Sequence, residues 1–451
     1  MPQPSRKGSL RWLLWIACVP LGLVLLILVF ISVREYRATL AIQTQIVQWN
    51  QQGEPYDNAS MDTWYRKHTF EEGASEWMRI TDCVVATSSF GFLDRLPIVG
   101  QGKQPETLDP KSTWSDEPLV AEYLENMQPI LKQIHRATKF PTPVQFPLHF
   151  QGIGTLLPHI QESRSIARLV QLDFEHACYG SDADRAFEDL RAMGYTAKMI
   201  DSGQFLVGDL VVGALTMMKH ESIRRSLEQD FWNGSKLEEI RKVLGEQRYS
   251  PEKWNVLFSG ERAMIFETVL RGNFNELAAS PEQSFLRWIP ILPSGRLKFF
   301  KCYDNLKALG QQKLSQLVLV STTLENQIFR DTSYTDGSTI LAGLLFPAIT
   351  AYSAAVEREE NDRRMTLTTI ALRQFKLAEG RFPNRLSELE KFGLSSEDYS
   401  TVNGGMLGYE LTDNVAHVWS YKYSHEKRVP NVRPQRNVED SLEVQYLASL
   451  R

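Results

Sequence analysis

The sequence predicts a mainly α-helical protein: an N-terminal transmembrane helix, then a repeat-like array of α-helical hairpins, then a small α+β module at the C-terminus. Three observations predict it. Residues 12–33 carry no charge, and the apolar run from Leu10 to Val33 is about as long as a helix that crosses a ~30 Å hydrocarbon layer. From residue 115 to 360, apolar residues recur at three- and four-residue steps between short turns, and strand signals are scarce. Near residues 406–421 that period gives way to alternation around Thr412-Asp413-Asn414, the mark of a β-hairpin.

The apolar run reads as an uncleaved anchor over residues 10–33. Trp12 and Trp15 at one end and Tyr36 past the other suit the headgroup layer, and Pro20 and Gly22 are tolerated in membrane helices. A cleaved signal peptide has a shorter apolar core and a small-x-small site soon after it. The nearest such triplet, Thr39-Leu40-Ala41, lies beyond the charged Arg34-Glu35-Tyr36-Arg37. A lipoprotein cysteine would end the run, whereas Cys18 sits inside it. Arg6, Lys7 and Arg11 outnumber Arg34 and Arg37 across the span, which places residues 1–9 in the cytoplasm and the bulk of the chain outside. Phe205 to Met218, broken by Gly208, Asp209 and Gly213, is instead a buried core helix.

A net charge of −4 gives no electrostatic footprint for nucleic acid, and none is expected as a partner. Outside the anchor lie three cysteines, Cys83, Cys178 and Cys302, so at most one disulfide can form among them. Buried free thiols are the simpler reading.

Residues 34–52 continue the anchor into water as a juxtamembrane helix, with Tyr36, Leu40, Val47 and Ile42, Ile46, Trp49 at helical steps and Gly53 as the stop. Residues 53–114 form a linker-rich region, in which Ser60 caps a helix through Trp64 and Tyr65, and Gly91 to Trp114 is irregular. The helical-hairpin domain spans 115–360. Ser115-Asp116-Glu117-Pro118 opens its first helix, and Pro141, Pro143 and Pro147 end it. Further helices are expected near 156–178, 183–193, 205–227, 236–244, 250–270, 297–309 and 341–356. Ala183 and Phe187 fit the Ala-x-x-x-Phe half of a tetratricopeptide repeat, without a second copy at its 34-residue period.

Glu357 to Arg364, of mixed charge, reads as a solvated helix face or junction. The C-terminal module covers 361–423. In it Thr366 to Glu379 is helical, Gly380 ends that helix, and Asn384 or Ser387 caps a short helix through Leu389. Strands follow at 406–411 and 415–421, and residues 424–451 form a loose tail with a helix from about Asp440 to Leu450.

Motifs with a strong mechanism are missing: there is no His-Glu-x-x-His, Cys-x-x-Cys, Gly-x-Ser-x-Gly or Walker loop. Gly152-Ile153-Gly154 has Leu157 where a dinucleotide loop needs its third glycine. His135, His149, His159 and His176 lie too far apart along the chain for a zinc signature, so no metal, cofactor or catalytic residue is assigned. Asp182 and Asp184 open a helix, where acids suit the dipole. Tyr409, Trp419, Tyr421 and Tyr423 offer a sugar platform or, more simply, the packing of a small sheet.

Two stretches carry a resemblance. The helix ending in Gly53-Glu54-Pro55, and the run Ala371 to Leu389 (ALRQFKLAEGRFPNRLSEL), resemble a family of uncharacterised membrane-anchored envelope proteins abundant in planctomycete-type bacteria. Leu156 to Leu172 and Asp184 to Leu190 are similar to it in layout. The same C-terminal run resembles the helix-Gly-x-Tyr/Phe-Pro turn of type II secretion pseudopilins, whose Gly-Phe-Thr-Leu-Ile-Glu start this chain lacks. The resemblance implies an envelope location and an anchored helical body, without a known activity.

Two functions fit these observations. One is a non-catalytic envelope scaffold whose helical array meets protein partners. The other is an envelope hydrolase acting on polysaccharide or peptidoglycan through a carboxylate pair that spacing along a chain does not reveal.

Overall fold

The computed structural model describes residues 7–87, 93–245, 247–271, 292–331, 347–421 and 444–450. Helix accounts for 69 % of the described residues, and a small antiparallel three-stranded sheet lies near the C-terminus. The mainly α class with an N-terminal apolar helix and a small α+β end is therefore what the chain adopts.

Helix α1 (Lys7–Gln51) is continuous from the apolar run into the body. Among the described residues it is the one helix long and apolar enough to cross a membrane. Leu26 and Phe30 in it are 70 % and 68 % exposed. Beyond the run, α1 turns one face to the body: Ala38, Ile42 and Trp49 are buried and Ile46 half-buried. Tyr36, Leu40 and Val47 lie on the other side and are exposed. Both sets satisfy helical spacing, so spacing alone cannot say which is covered. Gly53, at φ +70°, ends the helix.

Helix α2 (Asn58–His68) is capped by Asp57, whose carboxylate accepts from Ser60 N at 2.8 Å. Ser60 is therefore not the cap but its partner three residues on, and its hydroxyl accepts from Asp57 N at 2.9 Å. Helix α3 (Ala74–Thr87), which the sequence reading passes over, buries Trp77, Ile80 and Val84 at helical steps. Residues 93–116 are irregular apart from a short 3₁₀ turn at Leu93–Arg95, yet Leu96, Leu108 and Trp114 are buried.

The main body is α4 (Glu117–Ala137), α5 (Pro158–Tyr179), α6 (Ala183–Met199), α7 (Leu206–Leu227) and α8 (Gly234–Leu244). Helices α4 to α7 pack in chain order, α5 to α7 through short turns and α4 to α5 through the irregular residues 138–157. Gly194 does not stop α6, which runs six residues past the expected end at Met193. Gly152-Ile153-Gly154 is a turn at φ +64° for Gly152, lying on Thr268 and not on a nucleotide-binding strand.

Helices α9 (Pro251–Arg271), α10 (Pro293–Leu309) and α11 (Leu314–Asp331) form a second apolar core with α1. Trp49 meets Phe266 and Phe300 edge-on at 5.8 Å in this core. Helix α11 lies outside the sequence expectation.

Helix α12 (Pro347–Glu379) overturns two expectations at once. It is one helix where two were expected, and Glu357 to Arg364 is its middle, not a solvated junction. Glu357, Glu359, Glu360, Asn361, Asp362 and Arg364 are all buried, Asp362 completely. All but Glu360 find a partner on another element, Glu360 pairs with Arg363 and Arg364 of the same helix, and pairing is what makes burial of such groups tolerable. Residues 332–346, including the expected helix start at Leu341, lie outside the described residues.

Strands β1 (Gly408–Thr412), β2 (Val415–Tyr421) and β3 (Val444–Leu450) form the sheet in the order β1-β2-β3. The turn at Asp413 and Asn414 takes φ of +52° and +62°, which Asp and Asn tolerate. Residues 444–450 are a strand paired with β2, not the expected helix. In Val444-Gln-Tyr-Leu-Ala-Ser-Leu450 local spacing favours neither form clearly, and the open edge of β2 decides. Residues 424–443 lie outside the described residues. Trp419 is buried, with Gly408 leaving room beneath it: a Cβ there would sit 2.0 Å from Trp419 Cε2. Tyr409 donates to the Pro383 carbonyl at 2.6 Å, so these two aromatics pack and bond within the fold instead of forming an open platform. The 3₁₀ segment Leu386–Phe392 folds back so that Phe392 meets Phe375 at 5.6 Å.

Gly380 adopts φ +72° after α12 with open space around its α-carbon. Gly380→Ala is expected to destabilise by roughly 1 kcal/mol through backbone strain alone. Thermal melts of the detergent-solubilised chain measure it, and an unchanged melting temperature would remove the punctuation role of this residue.

Candidate functional site

Helical spacing assembles the main candidate. On α7, Asp209, Val212, Thr216, Lys219 and His220 recur on one face; on α12, Tyr352, Val356, Glu359, Glu360 and Arg363 do the same. Where these faces diverge, α6, the C-terminus of α8 and residues 247–254 close a cavity of about 520 Å³. That is the size of a small-molecule site, with Trp254, Tyr249 and Val356 giving it apolar walls.

Arg248 holds the floor together. It donates to Asp209 Oδ1 at 2.5 Å and grips Glu359 with two bonds, Nε to Oε1 at 2.7 Å and Nη2 to Oε2 at 2.6 Å. Lys253 lies 3.2 Å from Asp209 and 2.8 Å from Asp201, and the Tyr352 hydroxyl donates to Asp209 Oδ2 at 2.8 Å. Gly213 makes the fork possible: a Cβ there would lie 2.9 Å from Glu359 Oε2. Burial by itself would raise the Asp209 pKa, but Arg248 and Lys253 outweigh it and hold the carboxyl down at about 2. Asp209 is thus an ionised anchor for cations and not a general acid.

Nearly three turns further along α7, Lys219 donates to the carbonyls of Val243 at 2.9 Å and Leu244 at 3.2 Å, which end α8. Burial, reinforced by the charge of Lys198, pushes its ammonium down to about 8. His220 Nδ1 bonds Asp362 Oδ2 at 2.7 Å, and Asp362 Oδ1 accepts from Arg224 at 2.6 Å. Burial lowers the His220 pKa despite Asp362, so the imidazole stays neutral.

The cavity's charge is lopsided. All four described acids on its lining are ion-paired: Asp201 and Asp209 as above, Glu359 with Arg248, and Glu360 with Arg363 and Arg364. Lys198, Lys219 and Lys242 line it with no carboxylate in ion-pairing reach among the described residues. Glu246 lies outside those residues. A preorganised anionic floor therefore carries its own cations, while at the α6–α8 side Lys198 and Lys242 are exposed and Lys219 is held by the carbonyls that end α8.

The second candidate is a cluster of His135, Asp173 and Asp189, whose ligand atoms lie within 4.8 Å of one another. The histidines expected to stay apart do so: His149 is exposed, His159 is stacked on Phe146 at 4.5 Å, and His176 bonds Glu117 at 3.1 Å. His135 instead finds two aspartates from α5 and α6, bonding Asp189 at 2.7 Å. Arg185 is already paired with Asp173. Burial and the neighbouring Asp173 raise the Asp189 pKa well above the carboxylate range. The pair is also sealed, Asp173 and Asp189 being 1 % and 0 % exposed. No substrate reaches it in this conformation. Asp182 caps α6 through Arg185 N at 3.1 Å, as its helix-opening position suggests. The three thiols Cys83, Cys178 and Cys302 are free.

Glu175 of α5 is fully buried, with Arg225 Nε 3.3 Å from Oε1 and no hydrogen bond to either carboxylate oxygen. Burial raises its pKa from 4.5 to about 7, and Arg225 only partly opposes this. The folded chain then binds this proton more tightly than the unfolded one between pH 4.5 and 7. The group's stabilising contribution is complete below 4.5 and is lost as pH rises through 7. Glu175→Gln is accordingly expected to melt near the parent at pH 4.5 and above it at pH 8. Melts across that range test it, and a gap that does not change with pH would contradict the protonated-glutamate assignment.

Comparisons of the chain with family models, with curated proteins and with solved structures find no match.

Proposed function

We propose that this chain is a membrane-anchored, non-catalytic interaction protein of the cell envelope, and that its central cavity receives an anionic group of a partner or ligand. The observation that carries the reading is the charge arrangement of the cavity: its acids are neutralised internally, whereas Lys198, Lys219 and Lys242 face it without a carboxylate partner among the described residues. Charge-assisted bonds from lysine to carboxylate or phosphate are the natural complement. Helix α1 as a single span, with residues 1–9 inside, puts the cavity outside the cytoplasm. The location agrees with the resemblance of residues 371–389 to anchored envelope proteins.

The test is a thermal-shift titration of the full chain in detergent with inorganic phosphate, pyrophosphate and citrate. Stabilisation by at least one of them, weakened in Lys198→Ala and Lys242→Ala, is expected. Those lysines are exposed, so their loss should leave the fold intact. Absence of any shift up to millimolar anion would sink the ligand reading. A C-terminal reporter active only in the cytoplasm would sink the topology.

The hydrolase reading has one observation in its favour, the close pair Asp173 and Asp189. Retaining and inverting glycosidases need carboxylates about 5 Å or more apart facing a sugar. A sealed pair beside Arg185 does not meet that need.

A further inference from the structure

We infer that the first turns of α10 lie on the membrane surface and bind the headgroups of anionic phospholipids. The inference rests on α1 as a membrane span. Glu35, two residues beyond the apolar run, accepts hydrogen bonds from Ser294 N at 2.9 Å and Ser294 Oγ at 2.8 Å. A carboxylate on the first amides of α10 is a strong helix-terminus contact, and it fixes the start of α10 at the level where the apolar run ends. Further along, Trp49 meets Phe300, and Glu54 pairs with Lys307. Both contacts advance in the same direction on the two helices, so α10 runs parallel to α1, away from the membrane.

The distances follow from a rise of 1.5 Å per residue. Ser294 stands about 3 Å beyond the last apolar residue of the run, and Lys301 about 10 Å further on. The headgroup layer is about 5–8 Å thick on each side, and the field of anionic lipids reaches about one Debye length, ~8 Å, past it.

Among the described residues, the charges in that slab other than Glu35 are positive. Arg34 and Arg37 project from α1, and Arg296, Lys298 and Lys301 from α10; Arg34, Arg37, Lys298 and Lys301 are exposed. Glu35, its charge committed to Arg34 and Ser294, is the sole acid between Leu10 and Gly53. On α10 no acid precedes Asp304. Leu292, just before the helix, is 44 % exposed and positioned to dip among the headgroups. Basic residues beside a span, with an apolar residue at their edge, match an anionic lipid surface in charge and in depth.

The experiment places one fluorophore on Leu292→Cys in the full chain, with Cys18, Cys83 and Cys302 replaced and the buried Cys178 retained. The protein is reconstituted in phosphatidylcholine nanodiscs containing either brominated phosphatidylglycerol or the same proportion of brominated phosphatidylcholine. Quenching by both is expected, about two- to fivefold stronger with phosphatidylglycerol at low salt. The excess should vanish at high salt and in the Lys298→Gln/Lys301→Gln double variant, whose circular dichroism should match the parent's. Equal quenching by the two lipids at low salt would overturn the headgroup assignment. No quenching by either, with the protein in the disc, would overturn the placement of α10 at the surface. Protein eluting apart from the discs would overturn the span itself, and with it the premise.

Discussion

Replacing Arg262 by methionine is expected to cost about 3 kcal/mol, the low end for stranding one member of a buried ion pair. The side chain is fully buried, donates to Glu54 at 2.8 Å and to the Pro55 carbonyl at 3.3 Å, and lies over the Trp49 ring at 3.9 Å. Its loss strands Glu54 and uncovers the indole in one step. Lys307 also pairs with Glu54, and Glu54 is partly exposed, which is why the low end applies. Removing the acid as well, in Glu54→Gln/Arg262→Met, should recover part of the loss, because the stranded charge goes with it. Denaturant midpoints of the three variants in detergent measure this. A double variant that loses the full sum of the singles would show that the two residues do not act as a pair.

That joint changes what the anchor is. Helix α1 contributes Ile42 and Trp49 to the same core as Phe266 and Phe300, and Glu54 clamps the chain just past the helix end. The body is fixed to the apolar helix and not tethered to it by a linker. A fragment beginning at Gly53 would leave an apolar slot open where Trp49 sits, so soluble versions need α1 from about Arg34 onward.

How far the fold was legible depends on which forces fixed each element. The long apolar helix, the stop at Gly53, the opening of α4 at Glu117-Pro118 and the 412–414 hairpin turn are set by local rules, and they stand where those rules put them. The β3 strand is set by a partner 28 residues away and reads ambiguously by itself. The cavity was hidden because each of its charges has an ordinary surface explanation: Asp209 looked like a break in an apolar helix, and Glu359 like part of a solvated run. Their common address appears only when α7 and α12 cross. One signal was available. Eight polar residues between two strongly apolar halves, with no Gly or Pro, leave a helix uninterrupted. A continuous helix of that length flanked by core segments must bury its middle too.

Asp362→Ala tests that burial directly and carries the largest expected effect, a loss of about 3–5 kcal/mol. Asp362 is fully buried and serves two helical neighbours, accepting from His220 at 2.7 Å and Arg224 at 2.6 Å. Arg224 also donates to Thr366 at 2.6 Å, a neutral partner that cannot offset a guanidinium charge. Asp362→Asn keeps the shape and one acceptor oxygen but not the charge, and should lose nearly as much as alanine. Glu379, an exposed acid at the end of the same helix, supplies the comparison, and its replacement by alanine should stay within about 0.5 kcal/mol. Urea denaturation of the three variants at pH 7, in one detergent, separates the outcomes. If Asp362→Ala cost no more than Glu379→Ala, the acids of α12 would be serving a wetted face after all, and the preorganised floor of the cavity would have no buried charge network behind it.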